Sequence, residues 1–202
     1  MPLTTANTRA RFAPLATLAS LLALTLLLCG CVVQGTTPDL DTGPRGDYPP
    51  GPYGTGEGAV LAPLSFVNPD GSTLDLAQIQ ADDRNRLLLV STSAGWCTAC
   101  IEEQPALADL HDRYSPRGLV VMVSLFEDAN FLPADARLAE GWQQKYDLPF
   151  LVVADPTFQF KDYYDSRQTP MNMIVDLSSM KIVKIILGAD SSAVENIVGA
   201  LL

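Results

Sequence analysis

Histidine is nearly absent from this chain: His111 stands alone among 202 residues. A c-type haem site needs a histidine directly after a C-x-x-C pair, and Ile101 occupies that position after Cys100. A structural zinc site needs four ligands, but Cys97 and Cys100 have no second pair beside them; Cys29 and Cys31 lie near the N-terminus. No metal and no bound cofactor is expected. Basic residues are also scarce, 13 against 23 acidic ones, for a net charge of −10. That balance argues against nucleic acid and against a basic membrane-binding face. No acid occurs before Asp39, and no internal repeat is visible.

The one long hydrophobic run is N-terminal. Arg9 and Arg11 precede an almost wholly apolar stretch from Ala13 to Leu28. This is the pattern of a secretory signal peptide; the run is slightly short of the roughly 20 residues that a spanning helix needs. Leu28-Cys29-Gly30-Cys31 resembles a bacterial lipobox, with Leu28 at −3, Gly30 at −1 and Cys31 as the lipidated residue. Residues 1–30 are therefore expected to leave as a lipoprotein leader, and Cys29 leaves with them. Residues 31–58, rich in Gly and Pro, are expected to form a lipidated N-terminus and linker. Within them Tyr48-Pro49-Pro50-Gly51-Pro52-Tyr53-Gly54 carries two aromatics, unusual in a pure spacer, and is expected to pack along the domain edge or act as simple linker rather than as a polyproline ligand. Residues 59–202 are left as the folded domain. The mature protein then holds 11 basic residues against 23 acidic, and Cys97 and Cys100 as its only unlipidated cysteines. Export places that pair where disulfides persist.

The pair has a specific local setting. Arg86-Leu87-Leu88-Leu89-Val90 reads as a buried strand, and the residues from Ile101 to Leu107 read as a helix. Cys97-Thr98-Ala99-Cys100 thus sits where a strand hands over to a helix N-terminus. Free backbone N–H groups and the positive end of the helix dipole stabilise a thiolate there. Cys97 would be the exposed nucleophile, and Cys100, one turn further in, would resolve a mixed disulfide. A purely structural disulfide is the competing reading of the pair.

The segment resembles the active site of the thioredoxin superfamily, in particular the extracytoplasmic TlpA/ResA-like thiol-disulfide oxidoreductases. Those carry W-C-x-x-C-x-x-E-x-P, and Trp96, Cys97, Cys100, Glu103 and Pro105 stand in that register. Thr169-Pro170, opening an apolar run from Met171 to Val175, matches the pair that faces the cysteines in the family. The resemblance implies that Pro170 is cis, that Thr169 offers backbone groups to a substrate chain, and that Trp96 forms part of the substrate face. It also exposes a departure. Thioredoxins place a buried aspartate six residues before the first cysteine; here that residue is Ser91. Glu103 matches the glutamate of ResA-like proteins and is the candidate for tuning the cysteines.

The implied fold is α/β and thioredoxin-like, a central mixed sheet flanked by helices with an N-terminal β-hairpin extension. The pattern agrees. A hairpin is expected from Leu61–Val67 and Ser72–Leu76 across Asn68-Pro69-Asp70-Gly71, and a strand over Leu119–Ser124 covered on both faces. A helix is expected over Pro133–Tyr146, a strand over Phe150–Val153, and a short helix from Asp155 to about Tyr164. Met171–Val175 and Lys181–Leu187 should pair antiparallel, and Asp190 should cap a last helix. His111 falls off the apolar stripe of its helix and is expected to be solvated.

The expected function is a membrane-tethered thiol-disulfide oxidoreductase, more a reductase than an oxidant. Its expected partners are exported thiol or disulfide proteins, an upstream extracytoplasmic redox partner and the bilayer held through Cys31, with the protein itself a monomer. Val32 after Cys31 is not aspartate, which favours the outer membrane in a Gram-negative cell. The alternatives are a binding or structural module that has kept the fold, a copper-handling protein, or a peroxidase. Copper-handling relatives use C-x-x-x-C and a distant histidine, which this chain lacks. A peroxidase would want threonine and proline where Ala94 and Ser91 stand.

Overall fold

A computed structural model describes residues 45–202. The leader, the lipobox and Cys31 lie outside the described residues. Seven strands form one mixed sheet in the order β2-β1-β5-β4-β3-β6-β7. β1 (Ser65–Val67) and β2 (Thr73–Asp75) make the hairpin, followed by α1 (Leu76–Ala81). β3 (Leu87–Ala94) leads into α2 (Thr98–Tyr114), and β4 (Leu119–Glu127) leads into α3 (Ala136–Lys145). β5 (Leu151–Ala154), β6 (Met171–Asp176), β7 (Lys181–Leu187) and α4 (Ser191–Leu201) complete the domain. β3, β4 and β5 run parallel, while β6, β7 and the hairpin add antiparallel strands at the two edges.

The centre is β3, which is buried along its whole length. Alternation sends its side chains to two separate cores. Leu87 and Leu89 face α2, α3 and α4 and pack with Leu107, Leu110, Trp142 and Val194. Leu88 and Val90 face the other side and pack with Phe66, Phe160 and Met173. The three longer helices thus share one face. The opposite face is closed by α1, by short 3-10 turns and by the segment before the hairpin. There Tyr48 packs against the core, and its hydroxyl lies 3.0 Å from the carbonyl oxygens of both Leu61 and Ala62. The aromatic Tyr48–Gly54 stretch is therefore docked on the domain, with Tyr53 bridged to Val60.

Several boundaries differ from the sequence expectation. The first hairpin strand is shorter; Leu61 is buried, but its N–H donates to the Met180 carbonyl, outside any strand. Leu76 opens α1 rather than closing β2. Pro133 does not begin α3, because residues 133 and 134 extend the pairing of β4: Pro133 bridges to Glu127 and the Ala134 N–H donates to Phe126 O at 3.0 Å. Asp135 then caps α3 by accepting from Leu138 N–H at 2.9 Å. The helix expected after Asp155 is instead two 3-10 turns, Gln159–Asp162 and Ser166–Gln168; Phe158, at φ +50°, blocks a regular helix between Asp155 and Gln159. His111 is half-buried rather than solvated, with its ring 5.7 Å from that of Phe150 and Nδ1 buried without a partner.

Candidate active site

β3 delivers the active site by ending one residue before Gly95. The Gly95 N–H donates to Glu127 O at 2.8 Å and the Cys97 N–H to Ala94 O at 3.0 Å, which turns the chain sharply into α2. Cys97 is the N-cap of that helix, and its sulfur accepts the Cys100 N–H at 3.1 Å. This is the anion-stabilising position at a helix start. Cys97 and Cys100 are joined as a disulfide, with their Cα atoms 5.3 Å apart. Cys100 is fully buried, while Cys97 keeps 5% of its surface exposed. Of the two sulfur-bearing residues, only Cys97 has any surface within reach of solvent.

Thr169 and Pro170 sit opposite. Their peptide bond is cis, and the Thr169 carbonyl oxygen lies 3.8 Å from Cys97 Sγ. A directed chain of hydrogen bonds ties this loop to β3. The Met171 N–H donates to Thr92 Oγ1 at 2.9 Å, Thr92 donates to the Tyr164 hydroxyl at 2.8 Å, Tyr164 meets Thr169 Oγ1 at 3.0 Å, and Thr169 donates to Ser166 O at 2.7 Å. Every hydroxyl in the chain both donates and accepts, so the loop is held without an orphaned polar group. Thr92 also turns its carbonyl towards Cys100, 3.9 Å from the sulfur.

Glu103 lies one turn beyond Cys100 on the same buried face of α2, and only 2% of its surface is exposed. Its neighbour Glu102 is exposed. Glu103 Oε1 accepts from Asn172 Nδ2 at 2.7 Å, and Oε2 accepts from Ser91 Oγ at 3.1 Å. Burial pushes the Glu103 carboxyl above its ordinary value, and the two hydrogen bonds only partly oppose this. Ser91 is thus not a vacancy where an acid is missing. The acid comes from the helix, and Ser91 is its donor.

Trp96 covers the other flank. Its Nε1–H donates to Glu127 Oε2 at 2.8 Å, and its ring stacks on Phe131 at 5.5 Å and meets Phe126 edge-on at 6.1 Å. Phe126 in turn stacks on Phe158 at 4.0 Å. Phe131 and Leu132 are 66% and 59% exposed, a large apolar surface on the Trp96 flank of the disulfide. They ride on a turn closed by Asp128, whose carboxylate accepts from Asn130 N–H at 2.7 Å and Leu132 N–H at 2.9 Å. The turn presses on Gly95, where a Cβ would come within 2.5 Å of Ala129 N; a side chain at position 95 would push the turn away.

The structure therefore brings together Trp96, Cys97, Cys100, Glu103, Thr169 and Pro170. Sequence reasoning missed Asn172, Tyr164, Glu127 and Phe131. Asn172 had a signal, as a polar residue inside the apolar run Met171-Asn172-Met173-Ile174-Val175. The others had none, since their partners are distant in sequence. Among the described residues no cluster of three or more histidine, cysteine or acidic side chains could hold a metal, and no helix is long and apolar enough to cross a membrane.

Comparison with known proteins agrees with this geometry. The AhpC/TSA family matches residues 58–184. No curated protein matches the chain significantly. Among solved structures, a thiol:disulfide interchange protein of the thioredoxin family from Chlorobium tepidum has a TM-score of 0.54 at 18% identity, over 69% of this chain and 94% of its own. A secreted Mycobacterium tuberculosis disulfide oxidoreductase, homologous to E. coli DsbE, has a TM-score of 0.52 at 15% identity, over 68% and 96%. The exposed lipoprotein thioredoxin of Streptococcus pneumoniae has a TM-score of 0.55 at 20% identity, over 69% and 100%. At these identities the likeness is one of fold.

Proposed function

The chain belongs to the AhpC/TSA family, and on that premise we propose that it is an extracytoplasmic thiol-disulfide oxidoreductase that reduces disulfides in exported proteins. The observation that carries the reading is the Cys97–Cys100 disulfide at the start of α2, with Cys97 alone reaching the surface beside the cis Thr169–Pro170 bond. In the reduced protein the Cys97 thiolate attacks a substrate disulfide. One substrate sulfur leaves with the electron pair and the other joins Cys97. Cys100 then gives up its proton and attacks Cys97 Sγ, which releases the second substrate sulfur as thiolate. The protein dithiol has lost two electrons and two protons, and the substrate disulfide has become two thiols. An upstream dithiol must reverse this for the next turnover. Phe131 and Leu132 next to Trp96 suit a polypeptide substrate with an apolar side chain near its cysteine.

Equilibration of the full-length protein in glutathione buffers, followed by tryptophan fluorescence, tests the reading. The expected potential lies near that of thioredoxin, about −270 mV; one near about −120 mV would make the protein a disulfide donor instead. Absence of a reversible disulfide would overturn the enzyme reading and leave a binding module on a thioredoxin fold.

The second part of the proposal is attachment to a membrane through lipid on Cys31, at the outer membrane if the cell is Gram-negative. It rests on the sequence around Cys31. Metabolic labelling with a fatty-acid analogue should mark the protein, and Cys31→Ser should lose the label; labelling that survives the substitution would sink the anchor.

A further inference from the structure

The polar side chains beneath the disulfide contain an imbalance. Asn172 is fully buried, and its Nδ2 donates to Glu103, yet its Oδ1 is also buried and has no partner. A buried acceptor left unpaired is costly, so a terminal amide in this place needs a reason. An apolar residue would fit the rest of β6. Asn172 lies directly opposite Ser91 across the β3–β6 ladder, and both side chains meet the Glu103 carboxyl from the sheet side. Neither partner is charged. Cys100 is the other titratable group on this buried turn of α2, with Cys97 at its N-cap, while Glu102 points to solvent.

Donors on both oxygens suit a carboxylate. They do not suit a carboxylic acid, which has a proton of its own to donate. We propose that Asn172 is a positioning residue that lets Glu103 hold or release a proton in place: the amide presents Nδ2–H to the carboxylate, then turns about its terminal bond to present Oδ1 to the acid. The unpaired Oδ1 is the acceptor that the acid form uses. Serine can follow the same change, because the Ser91 hydroxyl rotates from donor to acceptor. A leucine could do neither, and a lysine or arginine would hold the group permanently ionised.

The inference rests on the oxidoreductase reading, since the proton in question is that of Cys100. In the resolving step Cys100 passes its proton to the Glu103 carboxylate and forms the bond to Cys97 Sγ. The bond from Cys97 to the substrate breaks, and its electron pair leaves with the substrate sulfur. Glu103 ends the step as an acid donating to Asn172 Oδ1, and returns the proton when the disulfide is next reduced.

The test follows release of a mixed disulfide in single turnovers of the full-length protein from pH 5 to 9. Asn172→Leu should slow release about tenfold at neutral pH and move the acid limb of the profile to higher pH, because the carboxylate has lost its donor. In a Glu103→Gln background the same substitution should cost nothing further. In the wild type the side-chain amide resonances of Asn172 should shift with pH together with that limb, and Glu103→Gln should abolish the shift. If Asn172→Leu does not fold, Asn172→Ala carries the same expectations. A folded variant whose profile coincides with wild type, or an equal loss in the Glu103→Gln background, would overturn the inference. A wild-type protein that forms no reversible disulfide would overturn the oxidoreductase reading itself, which the glutathione titration detects separately.

Discussion

Cys97→Ser is expected to reduce disulfide exchange to background, a loss on the order of 1000-fold or more, because a serine hydroxyl carries almost no anion at neutral pH and Cys100 cannot take its place. Cys100 is completely covered, with its sulfur turned towards Thr92 O, so an incoming disulfide cannot reach it. Cys100→Ser has a different outcome. Cys97 still attacks, but nothing resolves the product, so the protein accumulates as a covalent adduct with its substrate. Mass spectrometry under non-reducing conditions reads both results: no adduct with Cys97→Ser, one substrate-sized adduct per chain with Cys100→Ser. If the Cys97→Ser protein forms the adduct instead, the roles of the two cysteines are reversed and the burial argument fails.

Glu103→Gln is expected to act in opposite directions on rate and on stability. Loss of the base should slow the resolving step by about 100-fold, the lower end of what positioned acid–base groups contribute, since water can replace part of the function. Stability should rise at neutral pH. Burial holds the Glu103 carboxyl above its ordinary value, so the folded protein keeps a proton where the unfolded chain has already lost it. The contribution of this group is fully present below the unfolded value, about 4.3, and is lost as pH rises through the folded one. Glutamine has no charge to bury at any pH. Its Oε1 can accept from Ser91, and its Nε2 can donate to the unpaired Asn172 Oδ1. The melting temperature of the variant should therefore exceed that of wild type at pH 8, and the gap should close near pH 4. A gap that is independent of pH, or a variant that is less stable at pH 8, would show that the carboxylate is stabilised in the fold rather than penalised.

A group that costs stability in its working form and speeds one step of an exchange reaction is what a buried proton carrier looks like. The arrangement differs from an aspartate on the strand itself. Here the carboxyl reaches down from α2 and the strand contributes only the Ser91 hydroxyl. From the sequence, Ser91 in the place of an acid reads as a loss. In the fold a carboxyl meets Ser91 from the helix instead, because positions 91 and 103 come together across the interface between β3 and α2.

Much of the architecture was legible from local patterns. Apolar runs at Leu87–Val90 and Leu119–Ser124 marked the central strands, since strands covered on both faces have no polar alternation. Trp96-Cys97-Thr98-Ala99-Cys100 after such a run placed the cysteines at a helix start. Element ends were less legible where a long-range contact overrode propensity. Pro133 reads as a helix start, but the edge of β4 recruits residues 133 and 134 into an extended bridge. His111 falls off the apolar stripe of α2, but the approach of Phe150 half-buries it.

The cysteine pair, its strand-to-helix setting and the alternation of strands with helices can be read from the residues alone, because each is written within a few positions of the chain. The sequence also supplied the only grounds for export and lipidation. What surrounds the sulfurs depends on contacts between distant parts of the chain. Asn172 meets Glu103 across 69 residues, and Thr92 meets Tyr164 across 72 and Met171 across 79. The register of β3 against β6, which no local periodicity encodes, sets Asn172 and Met171 beside Ser91 and Thr92. These contacts fix which donor faces Glu103 from β6 and what holds the loop opposite the cysteines.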